Sequence, residues 1–301
     1  MRESEFLSWV ARQPLGDSPH VQVGPGDDCA VLTVGGEQLV VTTDQVLDGV
    51  HIVVAEAGYA AAGRKAMARN LSDIAAMGAR PIGATATVSL PRGTEQDDVE
   101  AIYRGLREIG DAMGCPLVGG DVAGWDQPLV VSVTVFALAA AGGPVLRSTG
   151  QPGDVLAVTG TLGGAWKGQR HLHFTPRIAE ARALAECCRP TAMMDLSDGL
   201  ATDLGRLCEA SGVGARVNAE AIPIAPDVQA DDPLTAALTD GEDYELLIAL
   251  PPGRIDALLA DPPFETPLTR IGELTAARER LLIHPDGSCQ PLEPTGWEHT
   301  T

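Results

Sequence analysis

The chain has 301 residues, enough for two domains with separate cores. Hydrophobic residues make up 45% and charged residues 21%, which excludes a disordered chain, and no apolar run reaches the ~18 residues of a membrane span. A formal net charge of −20 excludes the clustered basic surface on which nucleic-acid binding rests, and it makes any anionic ligand dependent on an intervening cation.

The first residues, MRESEFLSWVARQ, are charged and lack a signal-peptide core, so a cytoplasmic protein is expected. They predict a short amphipathic helix with Phe6, Leu7 and Val10 on one side. GPGDDCAVL at 24–32 is a glycine-rich turn with two aspartates entering a strand, and QLVVTTD is an apolar strand ending on Thr42, Thr43 and Asp44. Ala62, Ala66, Asn70 and Ile74 recur at helical spacing and predict a helix over 59–77, stopped by Gly78 and Pro81. Its last turns, NLSDIAAMGARP, set Asp73 among small apolar residues, which suit close backbone packing and burial; a buried lone carboxylate costs several kcal/mol unless neutralised.

IGATATVSL at 82–90 alternates as a one-sided strand. Thr94 is placed to cap the next helix, whose apolar face runs through Val99, Ile102, Tyr103, Leu106, Ile109 and Met113. PLVGGD is a short strand ending on Gly119, Gly120 and Asp121, and 128–139 is a longer one. Small residues at 139–144 mark a domain boundary, giving an N-terminal domain over 1–140 and a C-terminal domain over 141–301. The second half restarts with a strand over 153–160 and a helix over 175–188. DLSDGL then leads into a helix with Leu200, Leu204, Leu207 and Cys208 on one face, and TDGEDYELLIAL turns into a buried strand. Short helices and strands follow to GWEH at 296–299. The six cysteines show no CxxC spacing and read as reduced and mostly buried.

Asp28, Asp44, Asp73, Asp121, Asp195 and Asp198 each stand beside Gly, Ser or Thr at a strand end or helix end, where α/β folds assemble ligand sites. Singly, each reads as a turn or cap residue, and Ser197 or Asp198 would serve as an N-cap. Converging, they would repel unless cations intervened; oxygen-only ligands without a His or Cys cluster favour Mg²⁺, which shares its shell with substrate phosphates. A phosphoryl-transfer site follows, with glycine turns able to approach phosphate. His51 reads blandly as a core or surface histidine, Tyr103 as core, Arg147 as solvated, Trp297 as a packing anchor, and Glu242 with Asp243 as an acidic turn. GTLGGAWKGQ lacks the P-loop spacing, and GxGxxG is absent.

GDDCAVL, TTDQVLDGVHI, NLSDIAAMGARP, GGD, RSTGQPGDVLAVTG, DLSDGLATDLG and GEDYELL, in this order, resemble the thiamine-monophosphate kinase family, part of the ATP-binding superfamily that includes aminoimidazole ribonucleotide synthetase and selenophosphate synthetase. The resemblance covers nearly the whole chain and implies transfer of the ATP γ-phosphate onto the phosphate of thiamine monophosphate, assisted by several Mg²⁺ ions. It implies metal ligands at Asp28, Thr42, Thr43, Asp44, Asp73, Asp121, Asp195 and Asp198, with Asp73, Asp121 and Arg147 at the reacting phosphates. It implies ATP contacts at Tyr103, Gly120, Asp121, Arg147 and Ser197, and substrate contacts at His51, Glu242 and Trp297. The implied fold is an N-terminal α+β domain with a mixed or antiparallel sheet that pairs into a barrel across a homodimer, followed by an α/β C-terminal domain. Three departures stand out: VAG follows GGD where the family has threonines, the stretch TLGGAWKGQRHLHFTPR is shorter than usual, and the chain ends GWEHTT where an aromatic commonly follows the His. Selenophosphate synthetase, which uses a reactive cysteine near the N-terminus, fits less well because residues 1–28 contain none; the hydrogenase-maturation relatives carry a C-terminal cysteine that this tail lacks. A non-catalytic cation- or nucleotide-binding relative is the remaining alternative.

Overall fold

The structure is a computed structural model that describes residues 3–14, 16 and 18–297. Glu298 and His299 of the expected GWEH motif lie outside the described residues. The first half runs through α1 (Glu3–Ala11), β1 (Val21–Val23), β2 (Ala30–Val34), β3 (Glu37–Leu47), the single turn α2 (Val54–Ala57) and α3 (Tyr59–Ala76). It continues with β4 (Arg80–Pro91), α4 (Gln96–Ala112), β5 (Leu117–Trp125) and β6 (Val130–Leu138). The six strands form one mixed sheet in the order β1-β2-β3-β6-β4-β5, antiparallel except where α4 connects the parallel pair β4 and β5. The pleat sorts its side chains: Val131, Val133, Val135 and Ala137 of β6 are buried, while Ser132 and Thr134 between them face the other way.

The second half contains β7 (Val155–Thr159), α5 (Ile178–Cys187), β8 (Ala192–Asp195), α6 (Leu200–Ser211), β9 (Gly214–Asn218) and α7 (Pro233–Thr239). β10 (Leu246–Leu250), α8 (Pro252–Ala260), β11 (Leu268–Thr275), β12 (Arg280–Ile283) and β13 (Cys289–Pro291) complete it. Its seven-stranded sheet, β13-β12-β9-β11-β7-β10-β8, is parallel only between β9 and β12. Alternate residues of β7 feed two cores: Leu156 and Val158 pack with α6 and α7, whereas Val155 and Ala157 pack with α5, α8 and α3.

α3 therefore lies between the two halves, and twelve of its eighteen residues are buried, so it has no solvent face of its own. Small residues make this arrangement possible. A Cβ at Gly105 would lie 1.9 Å from the Ala60 carbonyl oxygen, and one at Gly63 would lie 2.1 Å from that of Ile102, so α3 and α4 touch backbone to backbone. Gly78, at φ +62°, ends the helix.

Some local expectations are corrected. Thr94 does not cap α4: the N-cap is Glu95, with no side-chain cap, and the Thr94 hydroxyl donates to the Pro91 carbonyl instead. Neither Ser197 nor Asp198 caps α6, whose N-cap is Gly199; the Asp198 amide instead donates to Asp203 one turn inside the helix. β5 continues four residues past Asp121. Of the free cysteines only Cys29, Cys115 and Cys208 are buried, while Cys187 and Cys289 are exposed.

Candidate active site

Three carboxylates from distant parts of the chain meet beside the end of α3. Asp28 comes from the turn before β2, Asp73 from the last turn of α3 and Asp195 from the C-terminal end of β8, and their ligand oxygens lie within 4.8 Å of one another. Each is held by a neighbour. Thr42 donates to Asp73 at 2.7 Å, Ser72 donates to Asp195 at 2.6 Å, and the forked guanidinium of Arg147 donates to Asp28, its Nε at 2.9 Å. Burial, with the neighbouring aspartates, pushes the Asp73 carboxyl well above its ordinary range and Asp195 up to about 7. Asp27, which accepts the Arg147 amide, rises to about 6 through burial and the adjacent Asp28 charge. Three carboxylates with a single guanidinium among them are short of positive charge, and their all-oxygen donor set fits Mg²⁺; Cys29 beside them is kept a neutral thiol by burial.

The other expected acidic residues lie at different distances from this trio. Asp44 is tied to Arg69 at 2.7 Å, and Asp198 to Arg206, which it shares with Asp203. Thr43 does not join them: the pleat turns it to the opposite face from Thr42, where its hydroxyl donates to the Val133 carbonyl. Asp121 is also on that opposite face, in register with Thr87, Ser132 and Gln45. It is three strand spacings from β3, roughly 14 Å.

Tyr103 and Gly120 instead line a groove of about 520 Å³ between α4 and β5, together with Val99, Ile102 and Val118, and Asp121 borders it from the other phase of the β5 pleat. Gly120 is required there, because a Cβ would lie 1.9 Å from the Ala86 carbonyl oxygen. The groove is mostly apolar, with Asp121 its charged residue, which suits a flat base better than a phosphate chain.

A second pocket, of about 240 Å³, gathers His51, Ser197, Asp198, Glu242 and Trp297 with Arg69, Trp166 and Tyr244. Ser197, expected at ATP, thus sits with the expected substrate residues. The GEDYE turn is strained: Glu242 and Tyr244 have φ of 60° and 52°, a region that ordinary side chains avoid. Backbone hydrogen bonds from Glu242 to Ser197 and from Tyr244 to Leu196, each 2.8 Å, hold it in place. Trp297 is delivered by a chain segment that crosses α6, where Gly296 lies too close to the Asp198 carbonyl to carry a side chain.

Beneath Glu242 lies Lys65, fully buried in α3. Its ammonium donates to Glu242 Oε2 and to the His51 carbonyl, and its third polar partner is His171 Nδ1 at 2.6 Å, which also lies 3.0 Å from Glu242 Oε2. Burial lowers Lys65 to about 8 against the pull of Glu242. Burial also works against ionised Glu242, but the His171 contact and the Lys65 charge outweigh it and bring Glu242 down to about 2.

The chain matches the family model for the N-terminal domain of AIR synthase related protein over residues 26–139, and the corresponding C-terminal domain over residues 151–284. A thiamine-monophosphate kinase from Rhodopirellula baltica is 37% identical over 286 residues, covering 90% of this chain and 89% of that protein. The chain belongs to the thiamine-monophosphate kinase family. Among solved structures of that family, AaThiL complexed with AMPPCP and TMP superposes with a TM-score of 0.85 at 27% identity, over 99% of this chain and 97% of that one. The hydrogenase maturation protein HypE, at 21% identity and a TM-score of 0.72 over 92% and 94% of the two chains, shares the fold alone.

In this member of the kinase family, Lys65, Arg69, Trp166 and His171 surround the second pocket without having been expected there. For the first two a signal existed. Lys65, Arg69 and Asp73 recur every four residues, placing three charged groups along one side of a helix otherwise suited to burial. Nothing in the sequence pairs Trp166 or His171 with residues about a hundred positions away.

Proposed function

We propose that the protein catalyses Mg²⁺-dependent transfer of the γ-phosphate of ATP to the phosphate of thiamine monophosphate, giving thiamine diphosphate and ADP. The observation that carries this reading is the adjacency of an aromatic, carboxylate-bearing pocket to a carboxylate trio suited to Mg²⁺, both built on α3. The names of the relatives and the ligands in AaThiL agree with it. Bound Mg²⁺ would supply the charge neutralisation that lets two anionic phosphates approach, held by Asp28, Asp73 and Asp195 with Thr42, Asp44 and Asp198 around them. Tyr103, Gly120 and Asp121 take the nucleotide at the α4–β5 groove. Glu242, His51 and Trp297 hold the acceptor, and Ser197 lies between it and the trio. An acceptor phosphate oxygen forms its bond to the γ-phosphorus as the bond to the β–γ bridging oxygen breaks, and ADP leaves with that electron pair. Arg147, beside Asp28, faces the developing charge. Because the attacking oxygen is already anionic, no general base is needed.

The unit over 1–140 supplies the nucleotide groove and that over 141–301 completes the acceptor pocket. Chain pairing into a homodimer is supported by the unpaired edge strand β5, on which Val118, Val122 and Trp125 are exposed. No helix is long and apolar enough to cross a membrane among the described residues, and a cytoplasmic location is proposed because the co-substrate is ATP. The test is mass-spectrometric detection of thiamine diphosphate from purified protein with ATP, Mg²⁺ and thiamine monophosphate. ADP release without thiamine diphosphate, or no turnover, overturns the reading.

A further inference from the structure

The segment after β7 carries an aromatic side chain into the acceptor pocket and fixes it there. Gly163 and Gly164, at φ of 90° and 72°, turn the chain so that their amides donate to Asp243 at 2.9 Å and Asp240 at 3.0 Å, tying the loop to the GEDYE turn. Arg170 closes the loop from inside by donating to the Gly163 carbonyl at 2.8 Å and to Asp243 at 3.2 Å. Arg64 of α3 holds its far end through the Leu172 and Phe174 carbonyls at 2.9 Å and 2.8 Å. Trp166 rides on this framework. Its indole stacks on the His171 ring, with centroids 4.4 Å apart and planes 20° from parallel, and Lys65 Nζ lies 5.1 Å from the indole centroid.

Lys65 and His171 are both buried, so they occupy the inner side of the indole; Trp166 is 40% exposed and lines the same pocket as Glu242 and Trp297. A rigid indole backed by a stacked ring and a cation, with its outer side open to a pocket of about 240 Å³, is a preorganised surface for one flat ring. We infer that Trp166 is a ring-stacking wall of the acceptor pocket, in addition to Trp297, and sets the protein's affinity for a heteroaromatic acceptor. This inference rests on the reading of the acceptor as thiamine monophosphate.

The test compares Trp166→Ala and Trp166→Phe with the unaltered chain. Thiamine monophosphate binding is measured by titration calorimetry without ATP, and steady-state kinetics are measured with each substrate varied. Trp166→Ala weakens acceptor binding and raises the acceptor KM by about tenfold, the size expected for one lost aromatic stack, while kcat and the KM for ATP stay within about twofold. Trp166→Phe restores binding to within about threefold, because the ring is kept and only its size changes. Acceptor affinity within about twofold of the unaltered chain in Trp166→Ala overturns the inference, as does a variant pair in which both lose kcat and thermal stability together, since that is loop unfolding. If the unaltered chain binds thiamine monophosphate but makes no thiamine diphosphate, the proposed reaction fails while the binding comparison still decides the role of Trp166. If the unaltered chain does not bind it, both fall.

Discussion

Replacing Asp73 by Asn keeps the shape of the side chain and leaves Thr42 an oxygen to donate to, but removes one charge from the trio. With ligand oxygens within 4.8 Å, each fully ionised pair repels by about 3 kcal/mol at an effective dielectric constant of ~20, and Asp73 takes part in two of the three pairs. The metal-free protein escapes most of this by retaining protons. The variant therefore gains only about 1–2 kcal/mol, a melting rise of roughly 2–5 °C without Mg²⁺. On the catalytic side the loss is larger, about a thousandfold or more in turnover, because a ligand of the charge-neutralising ion is gone. The pH dependence supplies a sign. Asp195 near 7 and Asp27 near 6 stand above the 3.8 of a free carboxyl, so the folded metal-free chain holds more protons than the unfolded one. Their stabilisation is present below pH ~4 and is lost as pH rises through 6 to 7. The melting rise given by Mg²⁺ must grow across that interval in the unaltered chain and be much reduced in Asp73→Asn. Thermal melts with and without MgCl₂ between pH 5 and 8, paired with thiamine diphosphate measured by mass spectrometry, check both halves. Near-normal turnover, or a Mg²⁺-induced melting rise equal to that of the unaltered chain, refutes the reasoning.

As pH rises through about 8, Lys65 loses its proton and Glu242 loses the cation paired with it, so the acceptor KM rises above that pH; Lys65→Met shows the same defect at neutral pH, with the added cost of a Glu242 deprived of its lysine. The stability effect of the same titration has the opposite sign: the folded value is depressed from 10.5, so the penalty of burying this charge is relieved between pH 8 and 10.5, and an acceptor KM flat across that range contradicts the assignment. Gly105→Ala drives a methyl into the Ala60 carbonyl at 1.9 Å and should destabilise the chain by about 2–4 kcal/mol in denaturant titration, with no loss expected if α3 and α4 can simply part. Sedimentation equilibrium should give twice the 31.3 kDa of one chain, and a monomer throughout the micromolar range contradicts pairing along β5.

α3 was legible because its small residues leave few alternatives to burial, and the central strand β6 because it alternates cleanly. The trio was legible as residue types in similar local settings, since strand ends and helix ends attract ligand-binding side chains. What could not be read was the phase of the pleat in β5: LVGGDVAGW has no alternation to show which face Asp121 takes. Capping failed for a related reason. Thr94 has a nearer carbonyl to serve, and the hydrogen bond it makes there is invisible without the turn. The platform under Glu242 joins α3 to a segment over a hundred residues later, and its polar partners converge only in the folded chain.

Lys65 and Asp73 stand eight residues apart on one rigid helix, which at 1.5 Å per residue fixes about 12 Å between the ring-holding end of the site and its phosphate-transferring end. The helix therefore acts as a ruler. On the proposed placement of acceptor and trio, an acceptor fits when the distance from its ring to its phosphate matches that length, and a shorter or longer analogue satisfies one end only. Because α3 is packed on every side, it cannot slide to compensate, so inserting one residue between Lys65 and Asp73 would lengthen the ruler by about 1.5 Å and swing one end by about 100°.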